Sequence, residues 1–299
     1  MARTKKLYLL INTAAMRTYL LVLTILSLPA HAQTLPKVNF NHFYLVIDSA
    51  DLAAIKNSDF IKNKFAATVT KTTKADSAAT WTGTYLFGLD NYFEIFDSSG
   101  VGEPTGIAGI GFSVDGIGEI QQLDTILSKK YKIETRVREK QFDDKKVPWS
   151  TLLDIDDSAF NMQTHIYWWV MEYKPEYYDY NHWKYTNNQL TRATYLSQYA
   201  AERKNKIFKR FTGITLNTTS QEKDMLAGFL LNCGYKKIDD DSFVSPENFI
   251  IHFLDRKKSD RYAIASVSFE TNEPNNTTEK ISPNIEIEFQ NTTGKIVFQ

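Results

Sequence analysis

Glu94 is the side chain of this sequence whose setting most clearly calls for a functional explanation. It lies in the β-rich run of residues 92–96, where alternation places it between Tyr92 and Phe96 on one apolar face of a strand. A carboxylate on such a face needs a partner or a polar pocket, because burying an unpaired charge is costly. His42, in another strand-like run, is a second candidate, with an ordinary partly buried hydrogen-bonding role as the alternative.

Three other motifs were weighed as reactive sites. Residues 111–115 place Ser113 two residues after a glycine but lack the closing glycine of a nucleophile elbow. The spacing of Gly106, Gly109 and Gly111 does not match a dinucleotide-binding loop. Cys233 lies on the apolar stripe of a predicted helix, which is typical of an inert core thiol. None of these motifs completes a catalytic site.

A repeated pattern indicates how the candidate residues are positioned. Residues 42–48 and 109–115 are both alternating runs that end in Asp, and each is followed by an amphipathic segment. Further β-rich runs follow, so the pattern predicts the unit β-α-β-β-β twice, over residues 33–175. In the second copy Gly109, Gly111 and Ser113 share one strand face, which predicts either a roomy cavity or close backbone packing.

The rest of the chain is predicted to form a connector and a smaller α+β unit. Residues 176–211 combine an aromatic-rich segment with a long helix over 190–211, and the aromatic run either stacks on planar ligands or packs the connector onto the paired modules. Residues 212–299 begin with a third β-α unit. They are predicted to end in a hairpin of residues 285–289 and 295–298. The overall fold class is therefore α+β.

Residues 1–32 have the three parts of a secretory signal peptide: a basic region, a short apolar core and a small-x-small cleavage site before Gln33. They carry four of the 35 basic groups and none of the 35 acidic ones, so cleavage leaves a net charge of −4. This balance does not favour nucleic acid or an anionic membrane as a partner. We expect an exported protein, periplasmic or secreted, for which a homodimer is compatible with the sequence.

The paired β-α-β-β-β units resemble the vicinal oxygen chelate superfamily, which includes glyoxalases and extradiol dioxygenases. The resemblance covers about residues 38–175 and is one of pattern. It implies that the two modules form a cupped, glyoxalase-like sheet. It also implies a divalent metal ion in the cup, held by side chains from the first and last strand of each module.

Carried over position by position, the resemblance implies that His42, Glu94 and Glu172 are metal ligands. This sequence has Gly109 where a further ligand is expected, which argues against the two-histidine, one-carboxylate iron site of the extradiol enzymes. The remaining set suits a divalent ion, with Zn, Mn, Ni and Fe as candidates, and leaves positions open for water and substrate.

Two functions of different classes follow. Because the ligand set is incomplete, the first is an exported protein of unknown specific function that binds a small molecule in the cup, with these residues in contact: Tyr44, Tyr92, Gly109, Gly111 and Ser113. The alternative is a metal-dependent lyase, isomerase or hydrolase of the vicinal oxygen chelate type. Alternation leaves open whether Glu172 or Trp169 faces the cup.

Overall fold

The computed structural model describes residues 35–75, 79–143, 145–156 and 164–299, and the predicted signal peptide lies outside them. Within this part of the chain, no helix is long and apolar enough to cross a membrane.

The two predicted modules are confirmed. The first comprises β1 (Asn39–Val46), α1 (Ser49–Asn57), a π-helical turn (Phe60–Phe65), β2 (Ala67–Ala75), β3 (Ala79–Phe87) and β4 (Tyr92–Phe96). After the short α2 (Ser98–Val101), the second comprises β5 (Ala108–Val114), α3 (Glu119–Leu127), β6 (Ile133–Gln141), β7 (Lys146–Ile155) and β8 (Ile166–Tyr173). In both modules the last strand pairs in parallel with the first.

The predicted cup is closed into an eight-stranded barrel, with strand order β1-β4-β3-β2-β6-β7-β8-β5. β1 and β5 join the modules on one side by antiparallel pairing. On the other side β2 meets β6 through the pair Ala75 and Lys140. β2 (Ala67–Ala75) is thus an internal strand of this sheet.

The connector plugs one end of the barrel. It contains α4 (Pro175–Tyr180), α5 (Arg192–Leu196), a 3₁₀ turn (Ser197–Tyr199) and α6 (Ala200–Arg203). Tyr195 stacks on Tyr173 with ring centroids 4.8 Å apart, and Tyr199 stacks on Phe87 at 3.6 Å. This buried aromatic cluster confirms the prediction that the connector packs onto the paired modules.

A second sheet of seven strands follows, in the order β10-β11-β12-β9-β13-β15-β14. Its elements are β9 (Phe208–Thr218), α7 (Ser220–Asn232), β10 (Lys236–Lys237), β11 (Ser242–Val244), β12 (Ile250–Asp255), β13 (Ile264–Asn275), β14 (Thr278–Ser282) and β15 (Ile285–Phe298). β12 runs parallel to β9. The stretch from β9 to β12 is therefore a third β-α-β-β-β module, of which the sequence predicted the first strand and the helix.

The C-terminal sheet covers the outer face of the barrel. Phe43 of β1 packs between Phe93, with ring centroids 4.4 Å apart, and Phe211 of β9, at 5.0 Å. Phe229 of α7 contacts Phe112 of β5, with ring centroids 5.5 Å apart. These residues belong to one buried apolar cluster that spans both sheets. The outer face of β1 is thus core, which leaves the inner face for the site.

Two elements predicted from the sequence are wrong. The long helix over 190–211 is instead two short α-helices and a 3₁₀ turn, because Asn205 adopts a positive φ of 67° and β9 begins at Phe208. The closing hairpin is a single strand, β15, whose first half pairs with β14 and whose second half pairs with β13. Asn291 has a φ of 55°, but this local twist does not reverse the chain.

Candidate functional site

A cavity of about 390 Å³ lies inside the barrel, away from the plug. Along β4, Tyr92 contacts Tyr195 of the plug, whereas Glu94 and Phe96 line the cavity. The walls are rich in aromatic side chains from five strands: Tyr44, Trp81, Phe96, Trp149, Tyr167 and Trp169. The cavity therefore combines flat apolar walls with a few polar groups, which is the usual composition of a small-molecule site.

His42 reaches the cavity because of a β-bulge. The register of β1 against β5 shifts between Phe40 and His42, so Asn41 and His42 both lie on the inner side. The Asn41 amide nitrogen donates to the Tyr173 hydroxyl at 3.5 Å, which leaves its oxygen to accept from His42 Nδ1 at 2.9 Å. The imidazole thus carries its proton on Nδ1, and Nε2 has a free lone pair.

The imidazole ring of His42 lies nearly parallel to a neighbouring aromatic ring and is uncharged. Its ring stacks on Tyr92 with centroids 4.6 Å apart and an interplanar angle of 11°. Burial lowers the pKa of His42 to about 3, because the cation would lose its hydration inside the barrel. At neutral pH His42 is therefore an acceptor in the cavity wall.

Glu94 lies on the neighbouring strand, between the cavity and the plug. Burial raises the pKa of this carboxyl to about 7, against the opposing effects of the Lys71 charge and a hydrogen bond from Tyr92. The carboxyl group is therefore about half ionised at neutral pH. Glu94 lines the cavity, in keeping with a carboxyl group on this strand face that needs a partner or a polar pocket.

The glycines of β5 are covered by rings and do not make the cavity wider. A Cβ atom on Gly109 would lie 2.0 Å from Cε1 of Tyr44, and one on Gly111 would lie 2.5 Å from Cε1 of His42. Ser113, further along β5, is buried, and its hydroxyl has no hydrogen-bond partner among the described residues. Of the two alternatives left open by the sequence, close packing is the correct one at Gly109 and Gly111.

Glu172 does not lie in the cavity with His42 and Glu94. Its side chain points to the outside of the barrel, where the carboxylate accepts hydrogen bonds from the backbone of Gly118 at 3.0 Å and Ile120 at 2.9 Å, at the start of α3. Tyr167 and Trp169 of β8 face the cavity instead. The predicted three-ligand metal set is therefore wrong. In the described part of the chain no group of three His, Cys, Asp or Glu side chains is arranged to hold a metal ion.

Replacing Glu172 with alanine is expected to destabilise the protein by about 2 kcal/mol, because two amides at the start of α3 lose their charged acceptor. Urea denaturation at pH 7 measures this loss. Glu172→Gln is the matched control, since it keeps an acceptor oxygen and should lose about half as much. Equal and negligible losses for both variants would contradict a capping role.

The barrel interior also contains charged residues that the sequence pattern does not reveal. Lys71 of β2 and Lys140 of β6 line a small space beside the cavity. In the wall of the cavity itself, Arg136 and Asp154 form an ion pair at 3.0 Å. Alternation along β6 would have placed Arg136 and Lys140 on one face. Polar strands are normally read as exposed, so that face was not identified as interior.

Two solved structures are distantly similar to parts of this chain. A fusion of a xylose isomerase-like TIM barrel with a 4-hydroxyphenylpyruvate dioxygenase is 13% identical, with a TM-score of 0.37 over 77% of this chain and 34% of the fusion. The Mn(II)-bound glyoxalase from Novosphingobium aromaticivorans is 10% identical, with a TM-score of 0.33 over 74% of this chain and 62% of the glyoxalase. The chain thus spans about a third of the first structure and less than two thirds of the second.

No curated protein matches the sequence. A family pattern does match, over residues 40–298, and so includes both the barrel and the C-terminal sheet. The chain therefore belongs to the family of unknown function DUF5829.

Proposed function

We propose that this protein binds a small planar organic molecule in the cavity of its barrel. The volume of about 390 Å³ lies within the range of small-molecule sites, roughly 300–1,000 Å³. Rings from opposite walls, such as Trp81 and Trp169, offer faces on which a flat ligand can stack.

The observation that carries this proposal is a pair of unsatisfied polar atoms in the cavity wall. Trp149 Nε1 and Ser150 Oγ are buried and have no hydrogen-bond partner among the residues that the structure describes. Both belong to β7, where a register shift opposite Arg138 and Glu139 turns the Trp149 indole inward. A buried donor without an acceptor costs about 1–3 kcal/mol. A ligand that supplies an acceptor removes this cost.

The ligand also meets an acceptor on the protein. Nε2 of His42 has no partner among the described residues and belongs to a ring that lines the cavity. A molecule with one hydrogen-bond donor and one acceptor, attached to an aromatic body, therefore suits the site. We place this binding outside the cytoplasm, on the signal-peptide pattern of residues 1–32.

Filling the cavity tests the proposal. Leu152 of β7 lines the cavity, so Leu152→Trp is expected to weaken binding of 2-naphthamide at least about tenfold by occupying its space. Titration monitored by tryptophan fluorescence, with calorimetry as a second readout, measures the change. Val137→Trp is the matched control, because Val137 is 52% exposed on the outer side of β6.

Wild type and Val137→Trp should bind the probe equally. Failure of the wild type to bind planar probes, or undiminished binding by a folded Leu152→Trp variant, would refute the proposed site.

A further inference from the structure

The barrel encloses two lysine side chains that the binding site described above does not use. Nζ of Lys71 donates to the Tyr199 hydroxyl at 2.8 Å and lies 4.7 Å from the centre of the Tyr85 ring. Nζ of Lys140 donates to the Tyr177 hydroxyl at 3.0 Å. Each ammonium group is thus held by neutral phenols and ring faces at the plugged end of the barrel.

Neither ammonium group has a carboxylate within 4.0 Å among the described residues. Burial lowers the pKa of Lys71 to about 8, with the Lys140 charge as a second cause, and burial also lowers the pKa of Lys140. Lys71 therefore remains mainly protonated at neutral pH. Both side chains are partly buried. Charges that lose hydration are normally compensated by a partner, because this loss is costly.

The carboxyl group that interacts with Lys71 is Glu94, and it does not balance the two lysines. Glu94 is only about half ionised at neutral pH, so the region around it keeps an excess of positive charge. Nearer the mouth of the cavity, the guanidinium groups of Arg136 and Arg138 are matched by the carboxyl groups of Asp154 and Glu103. Arg136 and Asp154 form an ion pair, and Glu103 accepts a hydrogen bond from Tyr44. The excess charge is thus concentrated at the end of the cavity beside Lys71 and Lys140, which we call the floor.

The geometry connects this charge to the ligand site. The lysines line a space of about 10 Å³, close to the size of one water molecule. Trp81, Glu94 and Trp149 belong both to the wall of this space and to the wall of the cavity. A charged group on the floor would therefore lie beside Trp149 Nε1 and within the field of both lysines, in surroundings that screen charge poorly.

We propose that the ligand of this cavity is an anion, a planar aromatic carboxylate or a comparable organic acid, whose charged group lies at the floor beside Trp149 and is attracted by Lys71 and Lys140. This inference rests on the proposed binding function and specifies the chemical class of its ligand.

The test compares two probes of the same shape, 2-naphthoate and its neutral amide, 2-naphthamide. Wild type at pH 7 is expected to bind 2-naphthoate at least about tenfold more tightly. Lys71→Met and Lys140→Met, which keep the length of the side chain, should each lower the affinity for 2-naphthoate about tenfold. Both variants should bind 2-naphthamide within about twofold of wild type.

Two controls complete the design. Lys258→Met removes an exposed lysine and should change neither affinity. Glu94→Gln removes a competing negative charge, so at pH 7, where Lys71 is mainly protonated, it should strengthen binding of 2-naphthoate severalfold. If the lysines had only a structural role, the affinity for 2-naphthoate would not fall in the lysine variants and rise in Glu94→Gln.

The outcomes separate the two proposals. Equal binding of both probes by wild type would overturn the anion inference and leave the binding function standing. Equal weakening of both probes in the lysine variants would also overturn it. If neither probe binds wild type, the binding function fails together with the inference.

Discussion

Replacing Glu94 with glutamine is expected to stabilise the protein by about 3 kcal/mol at pH 8 and to change its stability little at pH 4. Burial raises the pKa of Glu94 from 4.5 to about 7, so the unfolded chain loses this proton at a lower pH than the folded chain. The contribution of Glu94 to stability is therefore fully present below pH 4.5 and is lost as the pH rises to about 7. Glutamine has no charge to bury at any pH.

Urea denaturation between pH 4 and pH 8 measures this effect. Glu288→Gln is the matched control, because Glu288 is exposed on β15, and it should follow the wild-type profile. Parallel profiles for wild type and Glu94→Gln would show that the carboxyl group is not desolvated in the folded barrel.

His42 makes the same experiment more informative, because its effect has the opposite sign. Burial lowers the pKa of His42 from 6.5 to about 3, so its contribution is present above pH 6.5 and is lost as the pH falls towards 3. Between pH 6.5 and pH 4.5 this loss, about 2 kcal/mol, nearly cancels the gain from Glu94. The contributions of His42 and Glu94 should therefore nearly cancel in this range, so that over it Glu94→Gln should lose about 2 kcal/mol relative to wild type.

The modules could be predicted from the sequence because their signals are local. The alternation of residues 42–48 and of residues 109–115, each followed by a helical stripe, fixes a β-α pair without any knowledge of distant contacts. The helix of the third module was found for the same reason, since Gly234, with a φ of 82°, lies just beyond the end of α7.

The site was harder to predict because it depends on which face of each strand is turned inward. β8 carries large side chains on both faces, so alternation alone could not choose between Trp169 and Glu172. That choice is made by distant contacts, since the amides at the start of α3 bind the Glu172 carboxylate. Lys71 and Lys140 were missed for a related reason: their strands look solvent-exposed until the barrel closes around them.

Gly109 is a position where the sequence allowed two interpretations and the structure predicts a large effect. Gly109→Ala is expected to destabilise the protein by about 3 kcal/mol, because its Cβ atom would lie 2.0 Å from Cε1 of Tyr44 and 2.7 Å from Cδ1 and Cζ of that ring. The ring cannot easily move aside, since its hydroxyl donates to Glu103 at 2.9 Å. Thermal and urea denaturation measure the loss.

A double-mutant cycle identifies the clash as the cause. Tyr44→Ala removes the ring, so adding Gly109→Ala to that variant should cost much less than it does in wild type, with a coupling of about 2 kcal/mol. Gly228→Ala is the control, because Gly228 lies inside α7, where alanine is the better helix former, and its Cβ atom would approach only the Tyr131 hydroxyl, at 3.3 Å. It should leave the stability unchanged or raise it slightly. Additive losses at Gly109 and Tyr44 would mean that the ring does not lie across this glycine, and the cavity would then be wider near its mouth than the structure indicates.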